Sequence, residues 1–169
     1  GIEGTGIDLQ LSSRAGNVTV KNCVFFQPQV SATTLLKSHG AYFNNTFWNN
    51  TFVVLQTSFP VLSVLTNNNT NISNNAFRIY GSDYTIKVVN SYDVFIEGNR
   101  INVTYDGNAY GINFDGGNGT IRDNYVNASG SAGGLGISIS SMVFSNLVER
   151  NEVVGNQTGV IGFQLLDSR

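Results

Sequence analysis

Val94–Ile101 reads VFIEGNRI, and Gly119–Val126 reads GTIRDNYV. Both strings set apolar residues at their third and eighth positions, Asn at the sixth, and polar residues at most of the rest. The same eight-residue template is read at Val18–Phe25 (VTVKNCVF), Ala41–Trp48 (AYFNNTFW), Thr70–Phe77 (TNISNNAF) and Asn146–Val153 (NLVERNEV). Its third position holds Val20, Phe43, Ile72, Ile96, Ile121 and Val148. The eighth holds Phe25, Trp48, Phe77, Ile101, Val126 and Val153, and both sets are expected to point inward. The sixth holds Cys23, Thr46, Asn75, Asn99, Asn124 and Asn151. Successive copies begin 23, 29, 24, 25 and 27 residues apart.

A second alternating segment precedes each copy: Gly6–Leu11, Thr34–Lys37, Val61–Leu65, Thr85–Val89, Gly111–Phe114 and Gly136–Ile139, with Gly159–Gln164 after the last. Alternation at period two is the strand period, and no stretch carries the helix period. Short strands that recur about every 25 residues cannot each bury an apolar face alone. Wound into coils, each strand pairs with its copies above and below, and the stack acquires one continuous core. The expected fold is therefore all-β: a right-handed parallel β-helix of about seven coils, some 30 Å of rod at about 4.8 Å per strand. Residues 1–169 read as one solenoid domain with strand-like sequence near both ends and no evident capping helix, so that the chain is expected either to be a segment of a longer β-helix or to pair its ends with other copies. A β-sandwich is the rival. It needs antiparallel hairpins, against which the fixed phase of the template argues. The sixth-position residues Asn75, Asn99, Asn124 and Asn151 should stack as a ladder at a bend. Asn tolerates left-handed backbone, and stacked amides bond one another.

The V-x-I-x-x-N-x-I pattern, from about Ile7 to Leu165, resembles the repeat of pectin-lyase-like parallel β-helix proteins. The resemblance implies the fold and leaves the activity open among polysaccharide lyases, glycoside hydrolases, phage tailspikes, adhesins and surface-layer components. The Asn-Thr-Asp, Asp-Asp, Gly-His-Gly and Arg-Ile-Lys strings of the family's hydrolases are absent from this sequence.

Composition narrows the classes further. Nine basic and eleven acidic residues give a net charge of -2, which supplies no attraction for nucleic acid or an anionic membrane. The single cysteine, Cys23, excludes an intrachain disulfide and a cysteine zinc site. No apolar run is long enough to insert in a bilayer. No metal or cofactor is expected, with Ca²⁺ arising only if the chain is a lyase. An ice-binding surface needs a regular column of Thr, and none appears.

For catalysis, the candidates are Asp93 and Asp115, expected at similar bends of successive coils, with Arg122 a few residues on. Stacked carboxylates beside a basic group suit acid–base work on an acidic polysaccharide. Asp83 and Asp106 fall near another bend, and Asp in turns such as GSD and YDG more often bonds its own backbone. His39 lacks a matched partner and reads as a turn residue. Glu97, Arg122 and Glu149 at the outward fourth position should form a charge ladder. Tyr42 and Tyr125 are outward rings that could stack on sugars. Nine Asn-x-Ser/Thr sequons occur, at Asn17, Asn44, Asn49, Asn68, Asn71, Asn102, Asn118, Asn127 and Asn156, against about four expected by chance from these Asn, Ser and Thr contents. Asn17, Asn49, Asn102, Asn118, Asn127 and Asn156 are the glycosylation candidates, whereas Asn44 is expected on a sheet face and less accessible. The leading expectation is a non-catalytic structural or adhesive module of an extracellular or cell- or virion-surface protein. Its partners would be other copies of itself, flanking β-helix domains, or carbohydrate. A polysaccharide lyase or glycoside hydrolase is the alternative.

Overall fold

The computed structural model describes residues 2–3, 9–11, 17–28, 34–40, 44–81, 83–142, 146–155 and 160–166. These form a parallel β-solenoid, and every strand pair is parallel. No helix occurs among the described residues.

The first face is a seven-stranded sheet. Its order is β1 (Ile2–Glu3), β4 (Val24–Gln27), β7 (Thr51–Thr57), β10 (Ala76–Gly81), β12 (Arg100–Tyr105), β14 (Tyr125–Gly130) and β17 (Glu152–Gly155). The second face stacks β2 (Leu9–Leu11), β5 (Leu36–His39), β8 (Leu62–Leu65), the first parts of β11 (Tyr84–Glu97) and β13 (Asn108–Arg122), then β15 (Gly133–Met142) and β18 (Val160–Leu166). The third stacks β3 (Thr19–Lys21), β6 (Asn45–Trp48), β9 (Thr70–Ser73), the second parts of β11 and β13, and β16 (Leu147–Glu149). About five well-formed turns result, flanked by part coils, which the sequence count of about seven includes.

Each face alternates inward and outward residues, and the inward ones make one core. Leu36, Leu62, Ile86, Ile112 and Ile137 come from the second face, Phe47, Ile72 and Ile96 from the third, and Phe52, Phe77, Ile101 and Val126 from the first. Phe25, Phe52 and Phe77 stack face to face, with centroids 4.8 and 4.7 Å apart and planes within 6° and 4°. That separation is the strand spacing itself, so ring stacking is inherited from backbone pairing.

The register corrects the sequence reading of the second template copy. Val20 pairs with Phe47 and Lys21 with Trp48, and Phe25 pairs with Phe52. The true copy is therefore Asn45–Phe52 (NTFWNNTF), four residues beyond Ala41–Trp48. Phe47 replaces Phe43 at the third position, Asn50 replaces Thr46 at the sixth and Phe52 replaces Trp48 at the eighth. The intervals become 27, 25, 24, 25 and 27, a more even pitch. Trp48, expected in the core, faces outward at the fourth position and is 40% exposed. The stretch FNNTFWNNTF satisfies the apolar rule in both phases. Only the sixth-position Asn and the even pitch separate them.

The ladder at the sixth position is continuous. The backbone N–H and the Nδ2 of Asn50 both donate to Asn75 Oδ1, at 2.9 and 3.0 Å. Asn75 donates in the same two ways to Asn99, Asn99 to Asn124, and Asn124 to Asn151. Each Nδ2 also reaches back to a third-position carbonyl: Val20, Phe47, Ile72, Ile96 and Ile121 in turn, at 2.7 to 2.9 Å. Cys23 closes the series, its N–H donating to Asn50 Oδ1 at 3.0 Å. Asn50, Asn75, Asn99 and Asn124 are buried, and every one of these amides is bonded.

The left-handed backbone lies one residue earlier than expected. Asn22, Asn49, Asn74, Gly98, Asp123 and Arg150, all at the fifth position, have φ between 50° and 63°. The fifth residue makes the sharp bend, and the sixth is thereby aimed into the stack. A second left-handed column, Gly40, Thr66, Asn90, Gly116 and Ser141, turns the chain from the second face to the third. Ser91 sits just inside that corner, in register with Gly117. A Cβ on Gly117 would fall 1.8 Å from the Ser91 carbonyl oxygen, so only glycine fits there.

Asn99→Ala removes the acceptor for two donors of Asn75, frees the Ile72 carbonyl and takes one of its two donors from Asn124 Oδ1. A loss of about 3 kcal/mol or more in unfolding free energy is expected, read by denaturant titration. Thr70 Oγ1 is buried without a hydrogen-bond partner among the described residues. Thr70→Val should stabilise the chain by about 1 kcal/mol in the same assay, and a destabilisation would show that the hydroxyl has a partner.

Candidate functional site

Inward positions are committed to the core, so any site must lie on the outward columns or at the corners. Asp93, Asp115 and Arg122 occupy three different settings. Asp93 has φ 52° at the corner before the third face. There its N–H donates to Asn118 Oδ1 at 2.8 Å, and Asn118 Nδ2 donates to its carboxylate at 3.2 Å. Asp115 lies outward on the second face, where it accepts from Ser140 Oγ at 2.9 Å. It pairs in register with Val89, so it stands earlier in its coil than Asp93 does. Arg122 ends β13 on the third face and holds Glu97 at 3.0 Å, a contact that raises the guanidinium's pKa further. The expected equivalence of Asp93 and Asp115 is thus replaced by equivalence of Asp93 and Asn118. The ladder shifts register between Ser91 and Val94, where alternation alone could not count.

The other acids hold nearby groups. Asp83 Oδ1 accepts from the N–H of Tyr84 at 2.7 Å, the local turn bond expected of it. Asp106 accepts from Tyr80 Oη at 2.8 Å, which raises the pKa of that phenol. Burial raises the pKa of Tyr84, whose ring packs 4.8 Å from that of Tyr110. His39 is exposed at the end of β5. Among the described residues no group of three or more His, Cys, Asp or Glu is placed to hold a metal. No helix of the described residues is long and apolar enough to cross a membrane.

The charge ladder forms in part. Glu97, Arg122 and Glu149 stand in register. Arg122 takes Glu97, whereas Glu149 pairs at 2.8 Å with Arg150, which also bonds Asp123 at 2.7 and 2.9 Å. The Arg150 guanidinium holds the Asp123 carboxyl below the ordinary aspartate range. These groups are solvated, so each pair adds little to stability.

Of the proposed sugar platforms, Tyr125 is outward and half-buried, with the Arg100 guanidinium 4.5 Å over its ring. Tyr42 lies outside the described residues. Outward apolar side chains that sequence reasoning missed include, on the third face, Trp48, Phe95 at 44% exposure and Leu147 at 48%; others, such as Val24 and Leu55, lie on the first face. The signal for Phe95 was its place between Val94 and Ile96, both inward. Trp48 needed the corrected register. Phe95 and Leu147 flank Thr120, two coils apart, and bound a groove of about 360 Å³. Asp93, Asn118, Gly119 and Asn146 complete its lining. A second groove of about 320 Å³ on the first face is lined by Val53, Arg78, Arg100 and Asn102 among others.

Sequon asparagines differ sharply in setting. Asn17, Asn44, Asn49 and Asn71 are exposed, while Asn68, Asn102, Asn118 and Asn127 are half-buried. Asn44 precedes β6 at a corner and is open, contrary to its expected place on a sheet face. Asn49 is exposed at the fifth-position bend, not beside an inward eighth residue. Its Nδ2 donates to Asn22 Oδ1 at 2.8 Å. Asn127 Oδ1 accepts from Ser129. Asn156 lies outside the described residues.

No protein-family model, no curated protein and no solved structure matches this chain.

Asp123→Asn keeps a residue that tolerates left-handed backbone and removes the charge. A carboxyl whose pKa is lowered on folding stabilises above its unfolded pKa, about 3.9, and loses that contribution as pH falls through the folded value. The stability difference between wild type and Asp123→Asn should therefore shrink as pH falls from 7 to below about 4, and shrink with added salt. Denaturant titration along that series checks it.

Proposed function

We propose that the chain is a non-catalytic structural or adhesive β-solenoid module of an extracellular or cell- or virion-surface protein. One observation carries this reading: the buried ladder amides and the three candidate catalytic groups are all engaged in bonds between coils. The buried amides bond along the ladder. Asp93 bonds Asn118, Asp115 bonds Ser140 and Arg122 bonds Glu97, in each case one coil away. Those are the three groups that a polysaccharide-cleaving site would draw upon. They stand at a corner, on the second face and at the end of the third, and the third-face groove includes only Asp93.

Such a rod resists bending because each coil is locked to its neighbours by backbone, amide and aromatic columns together. Low charge and many short polar side chains suit a surface exposed to solvent. Among the described residues, β17 and β18 are each paired along one edge. A parallel edge of this kind fits a further coil, from flanking sequence or another copy. The sequon excess is consistent with an extracellular route. The pectin-lyase-like resemblance, which rests on the repeat, belongs to the same reading and carries no activity with it.

The test is incubation of the full chain with a panel of acidic and neutral polysaccharides, scored for new reducing ends and unsaturated products. No release is expected. Release that Asp115→Asn or Arg122→Ala abolishes would sink the structural reading and establish the enzymatic one.

A further inference from the structure

We propose that Asn71 carries an N-linked oligosaccharide whose first sugar lies between the exposed rings of Trp48 and Phe95; the inference rests on the extracellular reading above. Asn71 opens the sequon Asn71-Ile72-Ser73 in β9. Ile72 is buried, so Asn71 and Ser73 both face outward on the third face. Asn71 is exposed, and its side-chain amide makes no hydrogen bond among the described residues. Asn49 and Asn118, by contrast, donate their Nδ2 groups to Asn22 and Asp93.

Its neighbours set it apart from the other open sequons. In register, Asn71 pairs with Phe95 of the next coil, and Ser73 pairs with Trp48 of the preceding one. The two rings thus stand on opposite sides of the sequon strand, each about 4.8 Å from it along the axis. Ser73 is only 8% exposed, enclosed by Trp48 and Glu97, whereas the rings keep 40% and 44% of their surface in water. Two large exposed aromatics on one flat face call for a cover. A pyranose linked at Asn71 supplies one: its C–H faces are apolar and meet the negative faces of the rings, while its hydroxyls stay in water. A glycan at this position is held on its own strand, so covering the rings requires no separate binding event.

The transfer needs a lipid-linked oligosaccharide diphosphate as donor. Asn71 Nδ2 attacks the anomeric carbon, an N–C bond forms and the C–O bond to the diphosphate breaks. The diphosphate leaves with the electron pair, and one amide proton passes to a base on the transferase. The folded solenoid then has to accommodate the product, which an outward, unbonded Asn71 does without breaking any ladder contact.

The chain has a single tryptophan, so Trp48 reports on this place alone. The full chain would be secreted from a eukaryotic host and mapped by peptide mass spectrometry before and after amidase release of N-glycans. Oligosaccharide on the Asn71 peptide is expected, with bare peptides for Asn49 and Asn118. Release should shift Trp48 emission to longer wavelength and increase its quenching by acrylamide. Phe95→Ala should leave Asn71 occupied and give the increased quenching without release. An unmodified Asn71, whatever the state of Asn17 and Asn44, overturns the site. An occupied Asn71 whose release leaves Trp48 emission and quenching unchanged overturns the seating on the rings. Either failure leaves the structural reading of the rod standing. Polysaccharide cleavage would sink that reading without touching the occupancy of Asn71.

Discussion

Every column of this molecule depends on one constraint: equivalent residues of successive coils must lie a strand spacing apart, in register, along the whole rod. Backbone pairing sets the spacing but leaves register free, because a parallel strand can slide by two residues and still bury alternate side chains. The sixth-position Asn removes that freedom. Its Oδ1 accepts the backbone N–H and the Nδ2 of the Asn one coil before, and its own Nδ2 bonds a third-position carbonyl. A slip by two residues would leave those donors buried and unbonded, at a cost of about 1–3 kcal/mol for each group. The Phe25–Phe52–Phe77 stack and the Glu97–Arg122 pair follow from the register so fixed.

The bend divides its work between two residues. The fifth supplies left-handed backbone and the sixth supplies the amide. Only the sixth is restricted to Asn in the ladder proper, because only it fills the buried slot. The fifth tolerates Asn, Gly, Asp and Arg, since its side chain projects into solvent. That tolerance lets charge appear at the corner: Asp123 and Arg150 occupy the same column and bond each other there.

This division explains what could be read in advance. Solenoid class, parallel pairing, inward third and eighth positions and the ladder from Asn75 to Asn151 were all legible, because each is written in chemistry that repeats. The second copy was misread because Phe43, Phe47 and Phe52 offer two phases to an apolar rule. Pitch and the Asn at position 50 decide between them, and with them the side on which Trp48 lies. The candidate site was less legible. Asp93 and Asp115 read as residues of similar bends in successive coils, although Asp93 stands one residue before its template copy and Asp115 four before the next. The corner between the second and third faces, however, absorbs a register shift that alternation does not record. A charge at a corner is placed by local backbone geometry, for which a period-two pattern has no symbol.

The outer surface is therefore nearly independent of the fold. Inward residues and corner amides determine the rod, while an outward side chain has only to avoid its column neighbours. Trp48, Ser73, Glu97, Arg122 and Glu149 share one column with no common chemistry. A scaffold of this sort can vary what it displays, whether an aromatic pair, an ion pair or a glycan, at little cost in stability. Asp93, Asp115 and Arg122 show the same freedom: each bonds a residue of an adjacent coil, and none bonds another of the three.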